Sequence, residues 1–477
     1  MSAHLPSVDV PPPPPDALPD VRIAPPGPRS KAWLARLKAV ESPNVTAVTP
    51  EFPIVWQAAR AAVVMDVDGN RFLDAGSGFG VAFVGHNHPR VVAAAKSQLS
   101  NLVHGMGDVH PPVARIRLLE ALQAAAPGDL GHAVLCTGGS EAVEVALKTA
   151  LLKTGKPGIL AFEGGYHGLS LGALGGTWRA DFRAPFAKWI PGPTRFVAFP
   201  TAAPTGSSPV PLDASADELK AAEYARLAAV LADVQRHLRD PTAEIGVVLV
   251  EPVQGRGGSR LPAEGFLRAL HALCQAHDVL LCCDEIFTGC GRTGALFACA
   301  EAGVVPDLLC VGKALGGGWP ISACLGRPEV MAAWGPALGE ALHTSTFLGH
   351  PVACAAATET LQIIQAERLP AVAARDGQRW LLALRAALGD HPAVAEIRGV
   401  GLMMGIALAA PTGPRSAARF AWRVVVSCLQ RGVLVLPCGA GEVIQLTPPA
   451  VMTPEQRGFV VQTLAQTIDA AWQAARG

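Results

Sequence analysis

The residues with the clearest chemistry stand directly after five short apolar segments of the chain. The segments are HAVLC (132–136), GILAF (158–162), GVVLV (246–250), VLLCC (279–283) and DLLCVG (307–312). They are followed, in order, by TGGSEA, EGGYHG, Glu251, Asp284 and Lys313. A Gly-rich turn that opens a helix can bind an anion through free backbone N–H groups. A lysine can form a Schiff base with an aldehyde, and an aspartate can keep a pyridine nitrogen protonated.

Pyridoxal 5′-phosphate (PLP) is a cofactor that requires all of these protein groups, because it has a phosphate, an aldehyde and a pyridine nitrogen. The TGGSEA turn would hold its phosphate, with the Ser140 hydroxyl added, and Tyr166 would supply an aromatic face for the ring. Each residue alone is a weak signal, because a lone lysine usually lies at the surface and an aspartate often caps a helix. The order of the residues and their shared position after apolar segments carry the hypothesis.

These positions require a parallel sheet. From residue 88 to about residue 360, continuous apolar segments alternate with amphipathic stretches, a pattern typical of a mainly parallel sheet covered on both faces. Ligands of such sheets bind beyond the carboxyl ends of the strands, where all five groups would lie. The predicted fold class is therefore α/β, with a large domain at residues 88–365.

The rest of the folded chain is predicted to form a small α+β lobe. Residues 30–87 include a hairpin around the turn Asp68-Gly69-Asn70, and they would pack beside a C-terminal small domain at residues 366–477. The segment at 201–220 is rich in Pro, Ser and Ala and is interpreted as an excursion from the large domain.

The N-terminal residues 1–29 are predicted to be a disordered leader. Their proline density forbids helix and favours a mobile polyproline II conformation. The alternative is a docking role for Pro11–Pro15.

The composition argues against several classes of partner. The chain has 39 basic and 39 acidic residues, so nothing marks a nucleic acid or an anionic membrane as its partner. No apolar run approaches the ~20 residues that span a bilayer. The eleven cysteines lie in apolar segments without a CxxC pair, which indicates a cytoplasmic protein with reduced cysteines and no metal site. The low charged fraction of 16% indicates a large subunit interface.

The stretch LLCCDEIFTGCGRTGALFACAEAGVVPDLLCVGKALGGGWPISACLG resembles the signature of the class III PLP-dependent aminotransferases, which have PLP fold type I. The motifs LCTGGSEAVEVALKTA, FEGGYHG, EPVQG and HTSTFLGHPVACAAA occur in the family's order. The resemblance implies a seven-stranded type of sheet in the large domain and PLP as cofactor. It also implies ping-pong transamination between a small-molecule amino donor, an amino acid or ω-amino compound, and an oxo-acid acceptor.

Carried over to this sequence, the motifs imply roles for the residues that hold the cofactor. Lys313 would form the Schiff base and, once released, move a proton between the substrate carbon and the cofactor. Asp284 would be the partner of the pyridine nitrogen, and its charge partner would be this ligand rather than a protein cation. Gly139 and Ser140 would bind the phosphate.

The same resemblance implies which residues surround the ring. Tyr166 would stack on one face and Ile286 would pack on the other, with Glu251 and His167 close to the cofactor. Thr346 would bind the phosphate of the neighbouring subunit, which makes a homodimer with active sites at its interface the minimal active unit.

Three positions depart from relatives that act on 4-aminobutyrate or ornithine. Those relatives usually continue EPVQG with a glutamate that pairs with a C-terminal arginine, whereas this chain has Arg256 and Gln445. An arginine that often follows the aromatic-His-Gly motif is replaced by Leu169. We hypothesise that Arg256 binds a substrate carboxylate by a bidentate contact. The alternative is a structural hydrogen bond from Arg256 to Gln445 or to a backbone carbonyl.

Three further residues near the motifs have predicted roles. Phe287 replaces a glutamine that many relatives place near the cofactor's ring oxygen, and Phe79 would help to narrow the substrate site. Ordinary packing is the alternative for both. Glu285 is interpreted as structural, directed toward Arg292.

Other functions share some of these features. Racemases or epimerases, aminomutases and decarboxylases of the same family use the same cofactor residues. GLSLG (168–172) matches the GxSxG motif of serine hydrolases, but Ser170 lies several residues beyond the end of its apolar segment, where that motif requires a tight turn. A non-catalytic scaffold with this fold is disfavoured by the intact pair of Lys313 and Asp284.

Overall fold

The computed structural model describes residues 10–202, 216–409 and 414–476. Its strands are numbered in chain order: β1 (Trp56–Arg60), β2 (Val63–Asp66), β3 (Arg71–Asp74), β4 (His132–Cys136), β5 (Gly158–Phe162), β6 (Thr194–Val197), β7 (Ile245–Val250), β8 (Leu280–Glu285), β9 (Leu308–Val311), β10 (Ser322–Gly326), β11 (Val394–Val400), β12 (Met403–Leu408), β13 (Val433–Leu434), β14 (Leu436–Cys438) and β15 (Val443–Leu446).

The helical segments of the same residues are numbered likewise. They are α1 (Pro28–Val40), α2 (Ser77–Gly80), α3 (Pro89–Asn101), α4 (Val113–Ala125), α5 (Gly139–Thr154), α6 (Leu171–Gly176), α7 (Ala180–Arg183), α8 (Ala216–Arg239), α9 (Phe266–Ala276), α10 (Ala298–Glu301), α11 (Pro328–Met331), α12 (Pro351–Ala366), α13 (Leu369–Leu388), α14 (Pro414–Gln430) and α15 (Pro454–Arg476). None of these helices combines the length and the apolar run that crossing a bilayer requires.

The large sheet has seven strands in the order β4-β10-β9-β8-β7-β5-β6. Strands β6, β5, β7, β8 and β9 are parallel, and β10 runs antiparallel to both β9 and β4. This confirms the predicted α/β fold with a mainly parallel sheet. The five apolar segments of the sequence are β4, β5, β7, β8 and β9.

Apolar side chains on both faces of each strand explain why these segments form a covered sheet. All six residues of β7 are buried. Val248 and Val250 belong to one hydrophobic core, while Val247 and Leu249 belong to a second core on the opposite face. Because side chains alternate between the faces of a strand, a continuous apolar run fits only a sheet with helices on both sides.

Two smaller sheets use the N-terminal and C-terminal parts of the chain. One has the order β1-β2-β3-β13, and the other has the order β11-β12-β15-β14. Strand β13 pairs in parallel with β3, through Val433 with Leu73 and Leu434 with Asp74. The two chain ends therefore share a sheet, as the predicted small lobe requires, while the domain boundaries themselves remain predictions.

The leader differs from its prediction wherever the structure describes it. The Gln456 side chain donates to the carbonyls of Pro15 and Ala17, both at 3.0 Å. The Asn70 side chain accepts the backbone N–H groups of Arg22 and Ile23, also at 3.0 Å. Side-chain amides thus supply hydrogen-bond partners that proline-rich backbone cannot find in itself. The disorder predicted for residues 10–29 is wrong; residues 1–9 lie outside the described residues.

The segment predicted as an excursion lies mostly outside the described residues as well, since residues 203–215 are among those not described.

Candidate active site

A cavity of about 420 Å³ lies beyond the carboxyl ends of the parallel strands. Nine of the eleven predicted site residues line it. The full lining consists of Val81, Thr137, Gly139, Ser140, Tyr166, His167, Gly168, Leu169, Glu251, Arg256, Asp284, Ile286, Phe287, Lys313, Trp319, Pro320 and Ile321. The groups that follow five separate strands in the sequence are thus brought to one place.

Asp284 and His167 form a buried pair in this cavity. The Asp284 Oδ2 atom lies 2.7 Å from His167 Nδ1, and both side chains are almost fully buried. The other carboxylate oxygen accepts the backbone N–H of Ile286 at 3.1 Å. His167 thus orients the carboxylate from the protein side, while the ligand as charge partner of Asp284 remains a prediction.

Glu285 and Arg292 do not pair, contrary to the prediction. The Glu285 carboxylate accepts the Thr288 hydroxyl and the backbone N–H groups of Ala298 and Cys299, each at 2.8 Å. These three donors satisfy a buried carboxylate without a cation. Glu285 is structural, as predicted, but its partners are a hydroxyl and the N-terminus of α10.

Arg292 is fully buried and is held by carbonyl oxygens. Its guanidinium donates to the carbonyls of Leu402 at 3.2 Å, Pro448 at 2.6 Å and Gly80 at 3.2 Å, and its Cζ lies 4.7 Å from the centre of the Phe83 ring. Burial lowers the pKa of Arg292. The residue ties the α2 turn to the C-terminal part of the chain.

Lys313 directly follows β9 and Gly312, and its backbone has a φ of 42°. A positive φ is unfavourable for a residue with a side chain and is often found where function fixes the backbone. The Nζ atom lies 4.3 Å from the centre of the Phe287 ring. Burial lowers the pKa of the amine, against the opposing attraction of the Asp284 and Glu251 carboxylates. A lowered pKa leaves more neutral, nucleophilic amine near neutral pH.

The N-terminus of α5 forms the opposite wall of the cavity. Gly139 and Ser140 are its first two residues, so their N–H groups have no partner within the helix. A Cβ on Gly139 would lie 3.0 Å from two carbons of Ile286, so the backbone approaches this side chain closely. Ser322 Oγ donates to the Gly138 carbonyl at 2.7 Å and fixes the turn that precedes the helix.

The Glu251 carboxylate accepts hydrogen bonds from two loops of the site. One of its carboxylate oxygens accepts the Tyr166 backbone N–H and the other accepts the Gly255 backbone N–H, both at 2.9 Å. Burial raises the pKa of Glu251, and the neighbouring His167 opposes that shift. Because both oxygens are used, Glu251 positions the loop of Tyr166 and the turn before Arg256.

The donor set fits PLP. Free N–H groups at the N-terminus of a 16-residue helix suit a phosphate. A buried carboxylate held by a histidine suits a pyridine nitrogen, and an amine of lowered pKa suits an aldehyde. Tyr166 and Ile286 line the same cavity and offer the two apolar faces that an aromatic ring needs.

Comparison with known proteins leads to the same cofactor. A family model for class III aminotransferases matches residues 45–468. The acetylornithine aminotransferase of Methanopyrus kandleri is 36% identical over 420 residues, which cover 88% of this chain and 95% of that protein. The 5-aminovalerate aminotransferase DavT of Pseudomonas aeruginosa is 34% identical and is aligned over 87% of this chain and 94% of its own length.

The chain is a class III aminotransferase. It is an enzyme that carries out PLP-dependent transamination, as predicted from the sequence. Among solved structures, an amine transaminase from an uncultivated Pseudomonas species in its PLP-bound form is 28% identical, with a TM-score of 0.79. The match covers 91% of this chain and 98% of that one. The ornithine aminotransferase of Toxoplasma gondii is also 28% identical, with a TM-score of 0.79, and the match covers 94% of this chain and 96% of that one.

Two predicted site residues of this aminotransferase do not line the cavity. Phe79 is 65% exposed, and it lies in the α2 turn, where residues 77–80 all have positive φ. The Asp74 carboxylate holds this turn by accepting the N–H groups of Gly76 at 2.9 Å and Gly78 at 2.7 Å. Thr346 is exposed on the surface. A substrate role for Phe79 and a phosphate role for Thr346 remain predictions.

The cavity also contains residues that sequence reasoning missed. Trp319, Pro320 and Ile321 follow Lys313 closely in the chain, and Val81 follows the α2 turn. The signal that could have identified them is their closeness in the sequence to Lys313 and Phe79. The ring of Phe287 is clamped between two glycines, since a Cβ on Gly80 or Gly255 would lie 2.3 Å or 2.2 Å from it.

Arg256 lies at the rim of the cavity and is exposed. Its guanidinium carbon lies 4.8 Å from the centre of the Tyr166 ring. Within the described residues, no hydrogen bond or ion pair of this guanidinium is formed. Gln445, the alternative partner, instead donates to the Gly255 carbonyl at 2.9 Å and to Ser259 Oγ at 3.2 Å.

The loop that carries Arg256 is held on both sides by the C-terminal part of the chain. The Gly439 N–H donates to the Arg256 carbonyl at 2.8 Å, and the Arg398 guanidinium donates to the Gly258 carbonyl at 2.9 Å and 2.6 Å. With Gln445, these contacts fix the backbone of Arg256 and leave its side chain free.

Proposed function

We propose that the cavity holds PLP in the orientation that the sequence motifs imply. When bound, PLP supplies an aldehyde that accepts amino groups and a protonated ring that withdraws electrons. Gly139 and Ser140 bind the phosphate, and Asp284, oriented by His167, keeps the ring nitrogen protonated. The single observation that carries this proposal is the convergence of Asp284, Lys313 and the α5 N-terminus on one cavity.

Lys313 has two tasks in this proposal. Its Nζ atom would hold the cofactor before the substrate arrives. As a free amine it would then carry a proton from the substrate carbon to the cofactor side. The lowered pKa of Lys313 supports both tasks, because only the neutral amine attacks a carbonyl carbon or accepts a proton. Tyr166 and Ile286 hold the ring between them, so that the substrate carbon stays within reach of Nζ.

We further propose that Arg256 binds a carboxylate of the substrate. The guanidinium stacks on Tyr166, which leaves its N–H donors at the edge of the plane free for a bidentate contact. Among the described residues the Arg256 side chain donates neither to Gln445 nor to a backbone carbonyl, and the Gln445 amide nitrogen donates to Gly255 and Ser259, which speaks against the structural alternative. The substrates are then an amino compound with a carboxylate and an oxo acid, as the names of the relatives also suggest.

The Arg256→Gln variant tests this role. We expect its KM for amino donor and oxo acid to rise by about tenfold or more, because the charged bidentate contact is lost. The Gln445→Leu variant should raise KM less, since it only loosens the loop. The control is Arg375→Gln, an exposed arginine on α13 that pairs with Asp376, for which no change is expected. Unchanged KM values in Arg256→Gln, with normal PLP affinity, would contradict the proposal.

We also propose a cytoplasmic homodimer with active sites at its interface. Thr346 lies beside an exposed apolar patch, in which Thr344 Oγ1 donates to Asp108 at 2.8 Å and the rings of His104 and Phe347 lie 5.5 Å apart. The apolar residues of the patch are Leu102, Val103, Met106, Val109, Val113, Leu338, Leu342 and Phe347. Buried, unpaired cysteines throughout the described chain support a reducing compartment.

Sedimentation equilibrium should give twice the chain mass of 49.3 kDa, and Met106→Asp should shift the enzyme toward monomer and weaken PLP binding. A monomer that binds PLP with full affinity would contradict the shared site.

A further inference from the structure

Among the described residues, the cavity of one subunit offers one cation that is free to meet an anionic substrate. Besides His167, its lining includes two acidic side chains, Glu251 and Asp284, and two basic ones, Arg256 and Lys313. The two carboxylates are held by backbone N–H groups and by His167. Lys313 is committed to the cofactor in the proposed function. Among the lining residues that the structure describes in one subunit, this leaves Arg256, with a fixed backbone and a guanidinium that forms no ion pair there.

Much of the remaining lining of the cavity is apolar. Leu169, which follows the Tyr-His-Gly motif, lines the cavity and is 51% exposed. Trp319, Ile321 and Phe287 line it as well. A second carboxylate placed beside these side chains would meet no second cation, and two buried acids lie nearby, so its burial is unfavourable.

We propose that both substrates of this enzyme carry a single carboxylate, so that the amino acceptor is a monocarboxylic 2-oxo acid rather than a dicarboxylic one. The inference rests on the proposed role of Arg256 and narrows its substrate class. Donor and acceptor use the same site in turn, so one cation limits both. In the exchange the donor carbon loses its amino group and hydrogen and takes oxygen from water. The acceptor carbon gains the amino group and a hydrogen, and its oxygen leaves as water.

A matched pair of acids tests the inference without knowledge of the natural donor. 2-Oxopentanoate and 2-oxoglutarate have the same five-carbon chain and differ only in the distal carboxylate. The apoenzyme is reconstituted with pyridoxamine 5′-phosphate and mixed with each acid, and the return of the pyridoxal absorption gives a second-order rate constant. We expect 2-oxopentanoate to react about tenfold faster or more.

Binding of unreactive analogues gives a second readout that is independent of turnover. Calorimetric titration of the PLP-loaded enzyme with pentanoate and glutarate should show tighter binding of pentanoate, by about tenfold. Equal or tighter binding of glutarate would show that a second cation reaches the site and would overturn the inference.

Leu169→Arg should reduce or abolish the preference, because it supplies a second cation. We expect its rate constant for 2-oxoglutarate to rise about tenfold relative to that for 2-oxopentanoate, whereas Leu169→Met keeps the wild-type ratio. If wild-type enzyme prefers 2-oxoglutarate while Arg256→Gln slows both acids, this inference fails and the role of Arg256 stands. If Arg256→Gln affects neither acid, the proposed function of Arg256 itself fails.

Discussion

Lys313→Ala is expected to lower the transamination rate by about 10³-fold or more, because it removes the nucleophile and the proton carrier together. Among the described residues of the chain, no other lysine lines the cavity, so no neighbouring amine within it can replace Lys313. Turnover is measured with the PLP-reconstituted variant, and its absorption spectrum should lose the visible band that depends on a covalent link to a lysine.

The matched control for this variant is Lys38→Ala, an exposed lysine in the last turn of α1. Its rate and spectrum should equal those of the wild type. Partial recovery of Lys313→Ala by added methylamine would show that the loss is chemical rather than a folding defect. A variant that keeps both turnover and band would remove Lys313 from the proposed centre.

Asp284→Asn is expected to lower turnover by about 10³-fold, because an amide cannot keep the ring nitrogen protonated. The amide oxygen can still hydrogen bond to His167, which lies 2.7 Å from the present carboxylate. The fold and the orientation of the side chain should therefore be retained, and the thermal midpoint of PLP-free protein should change little.

A change of cofactor separates the charge of Asp284 from its packing. Reconstitution with N-methylated PLP gives the ring a permanent positive charge, so it should recover part of the activity of Asp284→Asn and none of that of Lys313→Ala. An Asp284→Asn variant as active as the wild type, or an impaired one that N-methylated PLP does not improve, would contradict a role of the carboxylate's charge at the ring nitrogen.

The sequence predicted the large sheet well because its signal is local. Each strand that positions the site is a continuous apolar run, as in the fully buried β7, and each chemical group follows its strand within a few residues. Parallel strands then place Glu251, Asp284 and Lys313 at one edge without further information.

Long-range polar contacts could not be predicted in the same way, because no local pattern in the sequence marks them. The partners of Arg292 are carbonyls at residues 80, 402 and 448, which no sequence pattern connects. Gln456 holds the leader from more than 400 residues away. The pairing of His167 with Asp284 joins the ends of β5 and β8, and it adds a protein partner that the sequence did not predict.

The central claim is that Lys313 carries the cofactor, and a chemical label tests it most directly. Borohydride reduces the carbon–nitrogen double bond between a lysine and bound PLP to a stable linkage, which peptide mass spectrometry can locate. We predict that the PLP-reconstituted enzyme carries the label on the peptide containing Lys313 and that prior incubation with an amino donor abolishes labelling. Label on another lysine, or no label on a PLP-saturated enzyme, would contradict the account.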